Sequence, residues 1–208
     1  MSSRPLTALL FIFGIIALMI VAVLAFAPDS TGISPLNPNT TDNPACLTDI
    51  DGQCITLPDV SGLNINSAEV RFPADFDADY QLLVMPFDRE QQVLAVTWLP
   101  LFQELQADYP DTLDYWSIAA LPALNPGVRL LVLGGVSAAI SDATIRPQVT
   151  ALFLDEQEAF LDALGITDST QIQVLIVDQA GTVYYREIGE YTAEAGASLR
   201  EAVERLLG

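Results

Sequence analysis

The sequence predicts an α/β fold in which a mixed sheet is flanked by helices, and three observations lead to that prediction. Residues 82–87 (LLVMPF) form an uninterrupted apolar run with the length of a buried parallel strand. A polar turn at residues 88–92 (DREQQ) follows, and apolar residues then recur at helical spacing over residues 94–105. Further apolar runs of strand length alternate with helical patterns towards the C-terminus. The chain is therefore organised around a central strand that leads directly into a helix.

An uncharged apolar segment, residues 6–27, precedes the predicted fold. As a helix with a rise of about 1.5 Å per residue it would be roughly 33 Å long, which is enough to cross a bilayer. A cleaved signal peptide is the alternative, because Ala25-Phe26-Ala27 mimics a cleavage site, but the apolar run is longer than such peptides usually have. We therefore expect a retained single-pass transmembrane helix that anchors the protein in a membrane, after a short cytoplasmic N-terminus at residues 1–5.

Residues 28–56 are predicted to be a linker, and the folded domain is predicted at residues 57–208. The linker begins with a stretch rich in Pro, Ser, Thr and Asn, which is typical of a flexible tether. Arg4 lies before the apolar segment, whereas Asp29 and Asp42 follow it. This asymmetry predicts that the N-terminus is inside and that the domain lies on the extracytoplasmic side of the membrane.

The chain after residue 27 is strongly acidic, because it holds all 27 acidic residues against seven arginines and contains no Lys or His. Such a charge argues against a nucleic-acid partner, since binding to phosphates requires cationic side chains. Without His, a Ser-His-Asp or Cys-His pair is excluded, and two cysteines cannot by themselves build a structural zinc site. The P-loop and GxGxxG motifs are also missing. We expect no cofactor, no metal and no classical enzyme activity.

Cys46 and Cys54 flank a stretch of seven residues. An oxidising compartment outside the membrane would favour a local structural disulfide, and closing a loop of about nine residues would stabilise the fold by about 2.5 kcal/mol. Free thiols and a redox-active dithiol are the alternatives. The spacing lacks the Cys-x-x-Cys geometry that lowers the pKa of a thiol, so the structural disulfide is preferred.

The rest of the chain supplies the remaining elements of the predicted sheet. A short outer strand is predicted before the central one, and four strands after it, at residues 69–72, 115–121, 146–154, 171–177 and 182–188. The last two are joined by a tight turn and predict an antiparallel hairpin. Helices are predicted at residues 128–140 and 156–164, and Thr192 is the expected N-cap of a closing helix.

Two pairs of small residues are interpreted from their local context alone. Ser61-Gly62 is interpreted as part of a turn in the segment that leads into the domain. Gly134-Gly135 lies in the middle of the 128–140 helix, where each glycine weakens a helix by about 1 kcal/mol relative to Ala. These two glycines indicate close packing, with a partner contact as the alternative.

The predicted element order is βαβαβ, then a helix, a β-hairpin and a closing helix. It is accompanied by Leu57-Pro58-Asp59-Val60 at the start of the domain and by Val177-Asp178-Gln179-Ala180-Gly181-Thr182-Val183-Tyr184 at the hairpin. Over about residues 57–207, this element order and these motifs resemble the thioredoxin-like fold in its peroxiredoxin-type elaboration. Shorter stretches, around Gly134-Gly135 and at Phe160…Leu164-Gly165-Ile166, also look like the branch that contains a mitochondrial ATP synthase assembly factor.

The resemblance implies a nucleophilic Cys at the first strand–helix junction and a cis-proline just before the first strand of the hairpin. This chain has Asp88-Arg89-Glu90-Gln91-Gln92 at the first place and Thr170-Gln171-Ile172-Gln173 at the second. Thiolate attack requires a thiol at the junction. The resemblance therefore implies the fold of the family without its catalytic cysteines.

The leading hypothesis from the sequence is a redox-inactive, membrane-anchored domain that binds another protein, in the assembly of a membrane complex. The candidate contact residues are chosen by position alone and are Asp88, Arg89, Glu90, Trp98 and Gln173. Each has a structural alternative, because a polar turn can simply be solvated and a Trp at helical spacing is usually part of the core.

Two other hypotheses belong to different functional classes. The first is a thiol-disulfide oxidoreductase that uses Cys46 and Cys54 as its redox pair. The second is the binding of a small ligand or ion at the carboxyl edge of the sheet, where open α/β folds usually bind their ligands.

Overall fold

The computed structural model of the protein describes residues 45–140 and 145–208. The predicted cytoplasmic N-terminus, the predicted transmembrane helix at residues 6–27 and the first part of the predicted linker lie outside the described residues. Among the helices in the described part of the chain, none combines the length and the apolar character needed to span a bilayer.

Seven strands form one mixed sheet in the order β2-β1-β5-β4-β3-β6-β7. The central strands β3, β4 and β5 are parallel, whereas β6 is antiparallel to β3, β7 to β6, and β1 to both β5 and β2. The strands are β1 (Val60–Asn64), β2 (Glu69–Phe72), β3 (Tyr80–Met85), β4 (Leu113–Pro122), β5 (Val149–Leu154), β6 (Gln173–Asp178) and β7 (Val183–Ile188).

Five α-helices and one short 3-10 turn connect these strands within the described residues. They are α1 (Gln92–Val96), α2 (Leu99–Asp108), α3 (Pro126–Ala139), the 3-10 turn (Arg146–Gln148), α4 (Gln157–Ala163) and α5 (Ala193–Leu207). The predicted order of elements from the central strand to the closing helix is confirmed. Thr192 caps α5 as predicted, because its Oγ1 accepts a hydrogen bond of 3.1 Å from the backbone N–H of Ala195.

The core lies on both faces of β3, which explains why this strand is apolar at successive positions. Leu82 and Val84 point to the face covered by α2 and α5, whereas Leu83 and Met85 point to the opposite face, which is covered by α4. All four side chains are 0% exposed. Successive residues of a strand point to opposite faces, so a strand buried on both sides has to be apolar throughout.

The interpretation of Ser61-Gly62 as part of a turn is wrong. Gly62 lies in the middle of β1 and pairs with Val70 of β2. A Cβ atom at this position would lie 2.6 Å from the carbonyl oxygen of Ala151 in β5 and 2.8 Å from a methyl group of Leu152. Gly62 is therefore required because β1 and β5 approach each other closely here. Close approach of another backbone is a common reason for a glycine inside a strand.

The single helix that the spacing predicts after the central strand is interrupted at Thr97-Trp98. Two helices, α1 and α2, take its place. Pro100 is in the first turn of α2, and because proline has no N–H it cannot continue the hydrogen bonding of a helix that arrives from α1. At the end of α1, the Thr97 hydroxyl donates a hydrogen bond of 2.6 Å to the carbonyl of Leu94.

The preferred interpretation of Gly134-Gly135 as a site of close packing is also wrong within the described structure. Both glycines are exposed on α3, and a Cβ atom built on either would meet no described atom within 4 Å. The helix packs on the sheet through its other side, with Leu133 against Ala119 and Ala151. The third predicted strand is also shorter than expected, because Arg146–Gln148 forms the 3-10 turn before β5.

Candidate functional site

The resemblance to the thioredoxin-like fold implies a reactive site at the carboxyl edge of the sheet, at the end of β3. The polar turn at residues 88–92 leads from this strand into α1. Met85 at the end of β3 pairs with Gln173 at the start of β6, so the segment before β6 arrives at the same edge. The two segments in which the sequence departs from the family pattern therefore lie side by side.

Gln91 joins these two segments. Its side-chain oxygen accepts a hydrogen bond of 2.8 Å from the backbone N–H of Phe87, and its side-chain nitrogen donates one of 2.8 Å to the carbonyl of Ser169. Its own backbone N–H donates to the Asp88 carboxylate, also at 2.8 Å. The residue is only 4% exposed. A buried amide, hydrogen-bonded through both its oxygen and its nitrogen, therefore occupies the strand–helix junction.

Sequence reasoning did not select Gln91 as a separate residue. Gln91 and Gln92 are adjacent and chemically identical, so no sequence signal distinguishes them. Only the direction in which each side chain points separates the buried amide from its half-buried neighbour.

Gln173, one of the predicted contact residues, is 2% exposed and therefore presents no surface to a partner. Its side-chain nitrogen lies 3.4 Å from the carbonyl of Gln171, and its side-chain oxygen has no hydrogen-bond partner among the described residues. The prediction of a direct contact fails because Gln173 is paired within the sheet next to Met85, where the strands are covered by helices.

Trp98 is likewise fully buried. It packs in the core, which is the alternative to a partner contact that the sequence left open. Its indole N–H donates a hydrogen bond of 3.0 Å to the carbonyl of Gly189. Its ring lies edge-to-face with Tyr191, at a centroid distance of 5.5 Å. The backbone N–H of Tyr191 also donates to the Thr97 hydroxyl at 3.1 Å. Trp98 therefore fixes the segment after β7 against α1.

The other three predicted contact residues, Asp88, Arg89 and Glu90, are exposed. Large apolar side chains accompany them in the same region of the molecule: Val93 is 72% exposed and Val96 58% exposed on α1, and Tyr191 is 41% exposed. We refer to this group as the carboxyl-edge surface, and it consists of Asp88, Arg89, Glu90, Val93, Val96 and Tyr191.

Cys46 and Cys54 form a disulfide with a Cα–Cα distance of 5.6 Å. Their loop is held against the start of β7, because the N–H of Leu47 donates to the carbonyl of Val183 at 2.7 Å and the N–H of Val183 donates to the carbonyl of Ile55 at 2.9 Å. Val183 pairs with Val177, close to the end of β6 that faces away from the carboxyl edge. The disulfide and the turn at residues 88–92 therefore lie at opposite ends of the sheet.

A shallow cavity of about 520 Å³ lies at that opposite edge, and its lining is Asp79, Tyr80, Asp178, Gln179 and Ala180. Burial, with the nearby Asp178 carboxylate, raises the pKa of the Tyr80 and Tyr184 hydroxyls. Asp178 itself accepts hydrogen bonds from the backbone of Ala180 and Thr182 and so shapes the hairpin turn. Within the described residues, no cluster of three acidic or sulfur side chains is arranged to hold a metal ion.

No family model matches this chain, and no curated protein matches it. Several solved structures are similar. A candidate electron transfer protein from Aquifex aeolicus is 15% identical with a TM-score of 0.50, over 74% of this chain and 93% of that one. The thioredoxin domain of a thiol-disulfide oxidoreductase from Bacteroides vulgatus is 13% identical with a TM-score of 0.48, over 71% of this chain and 95% of that one. Yeast Sco1 with copper bound is 14% identical with a TM-score of 0.49, over 74% of this chain and 95% of that one.

At these identities the similarity concerns the fold alone. The sheet order and the arrangement of the helices agree with the order of elements that the sequence predicts. The described part of the chain therefore has a thioredoxin-like mixed α/β fold, in which a seven-stranded sheet is flanked by helices.

Proposed function

We propose that this chain is a membrane-anchored, redox-inactive thioredoxin-like protein whose domain binds another protein through the carboxyl-edge surface. The observation that carries the proposal is the side chain of Gln91, which closes the strand–helix junction with hydrogen bonds to Phe87 and Ser169. Thiol chemistry at this junction requires a thiolate, and an amide cannot attack a disulfide. The scaffold keeps its shape at this junction without thiol chemistry, which favours a binding role for this edge of the sheet.

The composition of the carboxyl-edge surface supports a protein partner. Val93 and Val96 project more than half of their surface into solvent, next to the charged turn. Exposed apolar side chains with a charged rim are typical of protein interaction sites. In this proposal the two valines supply the buried centre of the interface, and Asp88, Arg89 and Glu90 orient the partner through their charges.

The sequence outside the described residues supplies the location in this proposal. Residues 6–27 form the anchor, and the domain lies on the extracytoplasmic side because Arg4 precedes the anchor and acidic residues follow it. The short stretches that look like the ATP synthase assembly factor branch favour a partner that belongs to a membrane complex. The proposed role is therefore assistance in the assembly of such a complex.

Site-specific photo-crosslinking in intact membranes tests the proposal. A photoreactive amino acid at position 89 should capture one specific protein, whereas the same amino acid at position 158 should not. Glu158 is the matched control because it is also exposed and charged but lies on α4, on the other face of the sheet. If position 89 captures nothing, or if both positions capture the same set of proteins, the binding function proposed for this surface is wrong.

A thiol-disulfide oxidoreductase that uses Cys46 and Cys54 is the second candidate, and the exposure of Cys54 favours it. The reduction potential of the pair and the turnover of insulin or peroxide would be measured for the full chain with and without Cys46→Ser. A potential below about −300 mV without turnover would identify a purely structural disulfide. Turnover that disappears in Cys46→Ser would instead establish the oxidoreductase.

A further inference from the structure

The outward face of α3 is unusual because every described residue of the helix that is classed as exposed is apolar or a glycine. Val128 is 37% exposed, Leu130 65% and Leu131 76%, and the two glycines at positions 134 and 135 are also exposed. The one charged residue of the helix is Arg129. Its guanidinium lies 5.0 Å from the ring centroid of Phe153 and donates a hydrogen bond of 2.6 Å to the carbonyl of Leu124, so it is held against the protein.

The segment of sequence that contains this helix is less acidic than the rest of the domain. Residues 115–154 contain one acidic residue, Asp142, and two arginines, although the whole chain has a formal net charge of −19. Two copies of so acidic a protein repel each other over most of their surface. α3 itself holds no Asp or Glu, so two copies can pack on this helix without placing its own side chains against carboxylates of the other α3.

The order of large and small residues along α3 makes this face complementary to itself. Leu130 and Leu131 project from its first half, and Gly134 and Gly135 leave its second half flat. Apart from the neighbouring backbone of the helix itself, no described atom lies within 4 Å of a Cβ built on either glycine, so no described residue fills the space above them. When two such helices pack antiparallel about a two-fold axis near position 133, the leucines of each copy lie opposite the glycines of the other.

We infer that a second copy of this chain binds here, and that the protein forms a symmetric dimer through α3. Leu130 and Leu131 of each copy pack onto Gly134 and Gly135 of the other. A pair of single helices buries less area than the roughly 1,600 Å² of a standard interface, so the dimer is weak and depends on concentration. Because the two domains repel each other, added salt strengthens the dimer by screening that repulsion.

Disulfide trapping tests the antiparallel arrangement directly. Full-length chains that carry Leu131→Cys are mixed in detergent with chains that carry Gly135→Cys and are mildly oxidised. In the proposed dimer these two positions face each other, and the mixture should form a covalent dimer. A mixture of Val128→Cys and Leu131→Cys is the matched control, because in an antiparallel pair those positions lie about 10 Å apart along the helix axes.

Cross-linking of the first mixture but not of the second is the expected result. The wild-type chain, treated in the same way, shows whether the native disulfide exchanges with other thiols. Equal cross-linking of both mixtures, or none in either, would overturn the proposed arrangement.

Sedimentation of the full chain measures the strength of the dimer without added thiols. Gly135→Leu fills the open space and should raise the dissociation constant at least about tenfold, while Ala107→Leu on the exposed side of α2 should leave it unchanged. Raising the salt concentration should shift the wild-type chain towards dimer. A wild-type chain that stays monomeric up to about 100 µM, at low and high salt, would overturn the inference and leave a lipid surface or another protein as the occupant of this face.

Discussion

At the scale of single residues, the carboxyl edge of the sheet depends on one amide. Gln91 satisfies a buried backbone donor at Phe87 and a partly buried backbone acceptor at Ser169. Buried polar groups that lose their partners cost about 1–3 kcal/mol each. The junction is therefore stabilised by the same side chain that, in our proposal, takes the place of the redox thiol.

Replacing Gln91 by Ala should lower the free energy of unfolding by about 1–3 kcal/mol, because the buried backbone N–H of Phe87 loses its partner. Urea denaturation followed by tryptophan fluorescence would measure the change. Gln92→Ala is the matched control, since Gln92 forms no side-chain hydrogen bond within the described part of the chain. We expect that control to change stability by less than about 0.5 kcal/mol. Equal losses in the two variants would contradict the role given to Gln91.

Asp114 is a second residue for which the surroundings matter, because they shift the pKa of its carboxyl. Burial raises the pKa of its carboxyl above the ordinary value of 3.8, although the backbone N–H of Tyr115 donates to it at 2.7 Å and acts in the opposite direction. Between about pH 4 and the raised value, the folded protein holds this proton more tightly than the unfolded chain does. The contribution of Asp114 to stability is therefore present at low pH and is lost as the pH rises through that window.

Asp114→Asn should accordingly be more stable than the wild-type protein at pH 7, and this advantage should shrink near pH 4. The amide oxygen of Asn can still accept the hydrogen bonds of 2.7 Å from Gln106 and from the backbone of Tyr115. Urea denaturation at the two pH values would measure the difference. Asp111→Asn, at an exposed position, serves as the control, and a constant difference for Asp114→Asn at both pH values would refute the prediction.

At the scale of elements, the glycines of β1 and α3 have opposite roles. Gly62 lets β1 approach β5, because a side chain there would meet the carbonyl of Ala151 at 2.6 Å. Within one copy, Gly134 lies on an exposed helix face with no described neighbour beside it, and there glycine lowers the helix propensity. The same residue type is therefore a requirement of packing in one element and a local weakness in the other.

Substitution by Ala should change the free energy of unfolding in opposite directions at these two positions. Gly62→Ala should lower the free energy of unfolding by about 2–3 kcal/mol through overpacking, whereas Gly134→Ala should raise it by about 1 kcal/mol. Chemical denaturation of both variants under the same conditions provides the measurement, and each variant is the control for the other. A stable Gly62→Ala protein would mean that β1 and β5 do not approach as closely as described.

At the scale of the whole molecule, the disulfide loop joins the beginning of the described chain to the hairpin near its end. Leu47 and Ile55 form backbone hydrogen bonds to Val183 on the two sides of the loop. Ile55 and Leu57 are also buried in the core on the face of the sheet covered by α4. The segment before β1 is thus part of the folded domain, and the disulfide limits how far it can move in the unfolded chain.

Removing both cysteines by Cys46→Ser and Cys54→Ser should lower the free energy of unfolding by about 2.5 kcal/mol, as the closure of a loop of about nine residues predicts. The fold should persist, because Ile55 and Leu57 still anchor the segment. Denaturation of the wild-type protein with and without a reductant is the control and should give the same difference. A loss close to zero would mean that the bond does not stabilise the fold by restricting the unfolded chain.

The sequence by itself determined the types and the order of the elements from the central strand to the closing helix, together with the strongly acidic character of the domain. Apolar periodicity and capping residues such as Thr192 are local signals, which is why they could be interpreted without a fold. The membrane anchor at residues 6–27 stays a prediction of the same kind.

The tertiary structure alone decided which glutamine closes the junction, why Gly62 is a glycine, and that Trp98 and Gln173 are inside. It also decided that the disulfide lies at the end of the sheet opposite to the turn. Each of these depends on contacts between distant parts of the chain: Gln91 bonds to a residue 78 positions away and Trp98 to one 91 positions away. No local pattern encodes such pairs, because they exist only once the sheet has brought its strands and loops together.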